Sequence, residues 1–490
     1  MRDESKTGLP LFKRVFVNRS LNFANTKLVG FDMDHTLAIY KRDAFEGLAF
    51  RETIKKFIEA GYPEELLELE FKPNFLIRGL LVDKKNGNIL KVDTHKYVKN
   101  AYHGYRRLSK EERYSLYNAQ GIDPENFLSI DMFFELSEVQ LYAEIVHFMN
   151  MHPGRVKKTF EEVHLDVRTF IDLCHKDGTI KNHVFKEPEK YIQRDKYLST
   201  TLVRLIDAGK KLFLLTNSLY DYTKIILGYV LDNSYEGFAN WKDYFEYMIV
   251  GAGKPGFFIG SQPFLEVVEE PNLLKLHSGP LHPKRVYYGG NAQLFEEVTG
   301  YSGDEILYVG DHIYVDIIRT KDTLNWRTML IIEELEQEIP KLEELTEDLE
   351  KIFEKLQEKE TLDERLQKIR SMIAANKRQV QKAEHREDMK KINHLLNENE
   401  KLIKSLEEGK QSLKDLDKNI KTLMQNREAK FHPVWGELMK VGLERSRFAN
   451  QVNAYACLYT SRVSNLRYYS PFKKFISFHE VLPHDVSPGA

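Results

Sequence analysis

Three apolar runs constrain the fold of this chain more than any other feature: KLVGF before Asp32, KKLFLLT before Asn217 and EILYVG before Asp311. Each is apolar almost throughout instead of alternating, and each ends in small or polar residues. That is the pattern of a strand buried on both faces in a parallel sheet. The second and third lead into segments with helical spacing, as in Tyr222, Ile225, Ile226 and Val230. Strands alternating with helices predict an α/β core, a doubly wound parallel sheet of Rossmann-like form, in which ligands bind outside the carboxyl ends of the strands. A chain of 490 residues has ample length for such a core and for further domains.

The core is assigned to residues 1–60 and 196–335. Residues 61–195 read differently. RGLLVDKKNGNILKVD places Asn86-Gly87 between two alternating apolar runs, a hairpin signal, and FFELSEVQLYAEIVHFM and VRTFIDLCHKDG have helical spacing. An insertion beside the active end of a sheet is expected to form a cap over the substrate. Residues 336–430 shift to Glu, Lys, Leu and Gln, with Leu342, Leu345, Leu349, Ile352 and Leu356, then Leu413, Leu416, Ile420 and Leu423, at spacings of three and four. This is the seam of a coiled-coil arm, with a bend expected at residues 385–388. Residues 431–490 regain aromatic and apolar character and are expected to pack back on the core.

A formal net charge of -2 and a pI near 6.8 give no electrostatic case for a nucleic-acid partner. Cys174 and Cys457 are too few for a disulfide framework and fit a reducing compartment. The segment MRDESKTGLPLFKRVF lacks the apolar stretch of a signal peptide. No run approaches the ~18 apolar residues of a membrane span. The composition therefore predicts a soluble, cytoplasmic protein without a membrane partner.

Asp32 and Asp34 stand two apart at a strand end, so an extended backbone would turn both into one crevice. Adjacent carboxylates repel unless a cation lies between them, and Mg²⁺, which takes one or two carboxylates together with phosphate oxygens, suits such a pair. A calcium loop is disfavoured, because Leu37 and Asp43 occupy the positions that need glycine and glutamate. YVGDHIYVDI adds Asp311 and Asp316, with Gly310 expected to allow a sharp turn. Thr216, Asn217 and Ser218 lie at a strand end before a helix, where hydroxyls and free backbone N–H groups hold phosphate. Lys254, in GAGKPGFF, offers a compact positive charge. Taken singly, each of these reads as an ordinary turn, acidic loop or solvated lysine; the ordered set carries the weight.

In that order, strand-DxDxT, strand-TN, loop lysine and strand-GDxxxxD, the set resembles the haloacid dehalogenase superfamily of phosphotransferases. More closely, the chain is similar to the cytosolic purine 5′-nucleotidases of that superfamily. The resemblance rests on RVFVNRSL, FDMDHTLAIYK, GYPEELL, RGLLVD, GNILKVD, LLTNS, KPGFF, YYGGN and YVGDHIYVDI…WRTMLIIEEL. It runs from about residue 14 to 335, resumes near FANQVNAYACLY and lapses across the heptad arm.

The resemblance implies a Mg²⁺-dependent hydrolysis of purine nucleoside 5′-monophosphates of the IMP and GMP type, with nucleoside phosphotransferase activity through the same intermediate. Asp32 would be the nucleophile that forms an aspartyl-phosphate, and Asp34 the proton donor and then acceptor. Thr216, Asn217, Ser218 and Lys254 would hold the phosphoryl group, and Asp32, Asp311 and the Asp34 backbone carbonyl the metal, with Asp316 completing or orienting that shell. Phe134 would stack on the base, and Arg168, Asp172, His175 and Lys181 would contact the nucleotide. Arg168, Asp172 and His175 are spaced four and three, so one helix face presents all three. Family members form homo-oligomers, which implies a dimer or tetramer.

The chain departs from the family pattern at Lys176, where vertebrate members carry an aromatic, and at Ala454, where an arginine of the activating nucleotide site is expected; Gln451 and Tyr455 remain. No arginine of that site is found near Gly121, and the chain ends in HDVSPGA where the family has an acidic tail. Two other readings compete: a phosphatase of another phosphomonoester, and an interaction scaffold whose arm recruits partners beside a vestigial core. The complete motif set argues against the scaffold.

Overall fold

A computed structural model describes residues 8–117, 122–123, 127–268, 273–318 and 324–477; the vicinity of Gly121 and the HDVSPGA tail lie outside them. The chain divides into two compact units, Met1–Gln337 with Leu438–Ala490, and Glu338–Glu437.

The first unit is built on a ten-stranded sheet. Its strands in chain order are β1 (Phe16–Val17), β2 (Leu28–Phe31), β3 (Lys211–Leu215), β4 (Tyr247–Val250), β5 (Phe264–Val268), β6 (Leu273–Leu276), β7 (Val286–Gly289), β8 (Ile306–Gly310), β9 (Arg327–Ile331) and β10 (Leu458–Thr460). Their order across the sheet is β1-β10-β9-β8-β2-β3-β4-β7-β5-β6. The seven strands from β10 to β7 run parallel, and β1, β5 and β6 pair antiparallel at the two edges. The three apolar runs are thus β2, β3 and β8, side by side at the centre.

Both faces of this sheet are covered, which explains why those runs do not alternate. Val29, Phe31, Leu212, Leu214, Leu307 and Val309 enter one apolar cluster with Leu202, Ile226 and Leu227, while Leu28, Phe213, Leu215, Ile306 and Tyr308 enter another with Phe257, Phe295 and Trp326. Gly30, on β2, is required by the second cluster: a Cβ there would overlap the Phe213 ring. The chain crosses from β2 to β3, β4 and β7 on one side, then returns to β8 on the other. The order therefore reverses at β2, the place where such sheets open a crevice.

Between β2 and β3 the chain forms helices α1 (Arg42–Glu59), α2 (Phe134–Met151), α3 (Phe160–Lys176) and α4 (Thr179–Lys186), together with a five-stranded sheet. The Asn86-Gly87 hairpin joins Leu81–Asp83 to Asn88–Val92, with Asp83 opposite Asn88. Gly87 takes φ 68° and Asn86 donates to Asp83 Oδ2 at 2.7 Å. Helix α3 starts on a capping box of Thr159 and Glu162, and α1 packs against both α2 and α3. After β3 comes α5 (Tyr220–Leu231), as the spacing of its apolar residues predicts. After β8, Ile313–Ile318 form a six-residue π-helix, and residues 319–323 of the segment expected to be helical lie outside the described residues. Such turns are frequent at functional sites.

The second unit contains α6 (Thr346–Glu384) and α7 (Met389–Phe431), which pack against each other. They are antiparallel, since Lys430 pairs with Asp348 at 2.7 Å, Lys359 with Asp417 at 2.6 Å, and Asn376 donates to Glu398 at 3.2 Å. Ile352 and Ile420, from the predicted seam, are buried. The bend at residues 385–388 is made by Glu387 at φ 55° and by Asp388, whose carboxylate caps α7 by accepting from the Lys391 N–H at 3.1 Å. Among the described residues no helix is long and apolar enough to cross a membrane.

Candidate active site

Asp32, Thr216 and Asp311 follow the carboxyl ends of β2, β3 and β8, and because β3 and β8 flank β2 the three loops converge where the sheet order reverses. The route taken by Asp32 and Asp34 differs from the extended one expected. β2 ends at Phe31, and the backbone folds back at His35 (φ 52°), with the N–H groups of Leu37 and Ala38 both donating to the Met33 carbonyl at 2.9 Å. The Asp32 N–H still donates to the Val309 carbonyl at 2.9 Å at the end of the strand ladder, and the turn that follows carries Asp34.

A buried charge cluster occupies the crevice. Lys254, with a side chain only 2% exposed, places Nζ 3.1 Å from Asp32 Oδ1 and 2.8 Å from Asp316 Oδ1, and donates to the Tyr308 hydroxyl at 2.9 Å. Ligand oxygens of Asp32, Asp311 and Asp316 lie within 4.8 Å of one another. Burial pushes the Asp32 carboxyl up to about 7, with Lys254 pulling it down and Asp316 and Asp34 adding repulsion. Asp311 is raised well above the usual carboxylate range by burial, against the opposing charge of Arg78. For Lys254 burial works against the charge, but Asp316 and Asp32 reverse that and raise its pKa. Asp32, Asp311, Asp316 and the Glu334 that pairs with Arg78 outnumber the two cations beside them, Lys254 and Arg78. Carboxylate oxygens gathered this closely could hold a divalent cation.

Gly310 serves this cluster in an unforeseen way. It lies within β8 and is not among the positive-φ glycines, so it makes no special turn. A Cβ there would overlap the Asp316 carboxylate, which packs directly over it.

Asp34 sits at the edge of the cluster, holding two hydroxyl donors: Tyr40 at 2.6 Å and Ser218 at 2.7 Å. The Tyr40 hydroxyl in turn lies 3.0 Å from that of Tyr222. Burial raises the Asp34 pKa, and the hydrogen bonds from Tyr40 and Ser218 oppose it. Asp34, Ser218 and Tyr222 also line a cavity of about 230 Å³ whose other walls include Phe134, Arg168, Asp172, His175 and Lys181. The residues expected to contact a nucleotide are therefore gathered in one place, beside Asp34.

Within the cavity Arg168 donates to Glu138 at 2.7 Å and lies 3.4 Å from Asp172. The Phe134 ring stands 6.3 Å from that of His175, nearly edge-on at 73°. Burial lowers His175 to about 4, so its imidazole is neutral near pH 7. Glu135 accepts from the backbone N–H groups of Asp131 and Met132 at 2.8 and 3.1 Å, and burial pushes it up to about 8.

Two of the predicted phosphate-site residues are engaged elsewhere. The Asn217 amide donates to the Lys254 carbonyl at 3.0 Å and accepts from the Lys254 N–H at 2.6 Å, so this side chain braces the lysine loop. Thr216 is fully buried, and its hydroxyl accepts from the Ser218 N–H at 3.1 Å.

Residues 15–487 match the model of the 5′ nucleotidase family. The chain belongs to that family. It is 32% identical over 339 residues to a 5′-nucleotidase domain-containing protein of Dictyostelium discoideum, a match covering 66% of this chain and 56% of that protein. It is 30% identical over 345 residues to 5′-nucleotidase domain-containing protein 2 of Homo sapiens, covering 66% of this chain and 64% of that protein. The chain thus spans less than two thirds of the length of either relative.

In this member of the 5′ nucleotidase family, several site residues escaped the sequence reading. Tyr40 and Tyr222 support Asp34, Tyr308 supports Lys254, and Glu135 and Glu138 line the cavity. Glu138 lies four residues beyond Phe134 on the same helix, a spacing that could have flagged it. Tyr222 was counted only as an apolar helix position, and nothing local marks its hydroxyl.

Proposed function

We propose that the chain is a Mg²⁺-dependent 5′-nucleotidase of the haloacid dehalogenase type, acting on purine nucleoside 5′-monophosphates such as IMP and GMP. The observation that carries this reading is the junction at Asp34: one carboxylate lines the cavity of Phe134, Arg168, Asp172 and His175 and neighbours the buried cluster of Asp32, Lys254, Asp311 and Asp316. A purine fits the chemistry of that cavity, with aromatic Phe134 for stacking and Arg168, Asp172 and neutral His175 for its polar edge.

In this mechanism an Asp32 carboxylate oxygen attacks phosphorus while the bond from phosphorus to the 5′ oxygen breaks. Asp34 gives its proton to the departing oxygen, a role suited by a pKa raised through burial. Asp34 then takes a proton from water as that water attacks the phosphorus of the aspartyl-phosphate, freeing phosphate and restoring Asp32. Acceptance of the phosphoryl group by another nucleoside in place of water would give phosphotransfer. Lys254 and the backbone N–H of Asn217 would offset the charge on the phosphoryl oxygens, the N–H groups of Thr216 and Ser218 being held by the Ile249 carbonyl and the Thr216 hydroxyl. Asp32, Asp311 and the Asp34 carbonyl, with Asp316, would hold Mg²⁺, which supplies charge neutralisation at the phosphoryl group and at the crowded carboxylates.

The test is phosphate release from a panel of nucleoside monophosphates and sugar phosphates, with and without Mg²⁺, beside Asp32→Asn. Preference for IMP or GMP, abolished by the substitution, is expected. Turnover of non-nucleotide esters alone would discard the substrate and keep the chemistry.

A further inference from the structure

Arg78 lies in the segment before the strand Leu81–Asp83, far in sequence from the acidic loops, yet its side chain is fully buried. Each of its guanidinium nitrogens is engaged. Nε and Nη2 donate to the two oxygens of Glu334 at 2.8 and 2.7 Å, and Nη1 donates to the backbone carbonyl of Asp311 at 2.7 Å while lying 3.9 Å from Asp311 Oδ2. The rings of Phe133 and Phe448 lie 4.2 and 5.4 Å from its central carbon. Glu334 follows β9 and Asp311 follows β8, so a single planar group ties together two loops at the carboxyl end of the sheet.

A buried ion pair is a poor way to gain stability, because desolvating both charges cancels much of their attraction, and apolar replacements of the whole pair are often neutral or stabilising. What this arrangement supplies is position. The guanidinium is planar and rigid, its bidentate bond to Glu334 fixes its plane, and its remaining nitrogen grips the main chain of the residue whose carboxylate completes the acidic cluster. The Phe133 ring continues the contact towards the loop of Asp34, standing 4.6 Å from His35.

We propose that Arg78, braced by Glu334, is a positioning residue that holds Asp311 in place for a divalent cation shared with Asp32 and Asp316. The identity of the cation, though not the geometry, rests on the function proposed above. Groups that orient metal ligands without touching the metal typically matter by about 10- to 100-fold in metal affinity.

The experiment uses the full chain titrated with Mn²⁺ as a paramagnetic stand-in, free ion being read by electron paramagnetic resonance and Mg²⁺ added in competition. Replacing the whole pair, Arg78→Met with Glu334→Leu, is expected to weaken metal binding about 10- to 100-fold. The thermal midpoint in chelator should be equal to or above that of the parent. Arg78→Lys, which keeps the charge and loses the fork, should fall between. Parental affinity in the paired variant would overturn the proposal, as would a lower midpoint with affinity unchanged. If the paired variant does not fold, Glu334→Gln takes its place, with several-fold weaker binding expected and parental affinity again contradicting the idea. Absence of metal binding by the parent would overturn this proposal; metal binding without nucleotide turnover would overturn only the reaction.

Discussion

Replacing Lys254 by methionine keeps most of the length of the side chain and deletes the lysine charge that lies between Asp32 and Asp316. Its Nζ lies 3.1 Å from Asp32 and 2.8 Å from Asp316 at 2% exposure, so water cannot take over the lost interactions. Removing one partner of a buried ion pair costs about 3–5 kcal/mol. The cost has a definite pH dependence. Asp32 is already raised from 3.8 to about 7 with the lysine in place, and losing the lysine raises it further. A carboxyl whose folded pKa is raised favours the folded state least once it must ionise, so the destabilisation is small near the unfolded value and grows as pH rises through the folded one. Urea unfolding followed by near-ultraviolet circular dichroism should therefore show a larger loss at about pH 8.5 than at about pH 5.5, and Mg²⁺ should restore part of it at the higher pH. A loss below about 1 kcal/mol at the higher pH, or equal losses at both, would refute the reasoning.

Three further substitutions test separate parts of the site. Glu135→Gln removes a carboxyl pushed from 4.5 up to about 8, so the variant should match the parent near pH 4 and exceed it by a few kcal/mol at about pH 9; a gain independent of pH would contradict this. Gly310→Ala puts a methyl group against the Asp316 carboxylate and should cost about 1–3 kcal/mol while weakening Mg²⁺ binding, and unchanged metal affinity would remove Asp316 from the metal set. Tyr40→Phe deletes the hydroxyl that donates to Asp34 at 2.6 Å, a bond of a class that contributes about 1.5–3 kcal/mol. The expected result is about a tenfold or greater fall in kcat with KM nearly constant, and an altered KM at constant kcat would instead assign Tyr40 to substrate binding.

The centre of the fold was legible because strands buried on both faces must be apolar almost throughout, and β2, β8 and all of β3 beyond Lys211 are. The helix face of Arg168, Asp172 and His175 was legible for a similar reason, since spacing alone puts these residues on one side of α3. What escaped were relations between distant segments. Arg78 and Glu334 are 256 residues apart, and charged residues are ordinarily read as exposed until a partner is visible. Lys254, taken alone, had the same fate, although the fold buries it between two aspartates. Asn217 shows a finer limit: its placement at a strand end was foreseen, but its side chain spends both polar atoms on the lysine loop. Gly310 was assigned the usual role of a turn, whereas the demand on it is the volume of Asp316.

The central claim is that Asp32 carries the phosphoryl group between two half-reactions. The most direct measurement is rapid acid quenching of the enzyme with IMP or GMP labelled in the phosphate, followed by peptide mapping with and without hydroxylamine. The expected result is a label confined to the peptide containing Asp32, lost on hydroxylamine treatment and absent from Asp32→Asn. Phosphate release in the parent with no label on the protein, or release that survives Asp32→Asn, would contradict it.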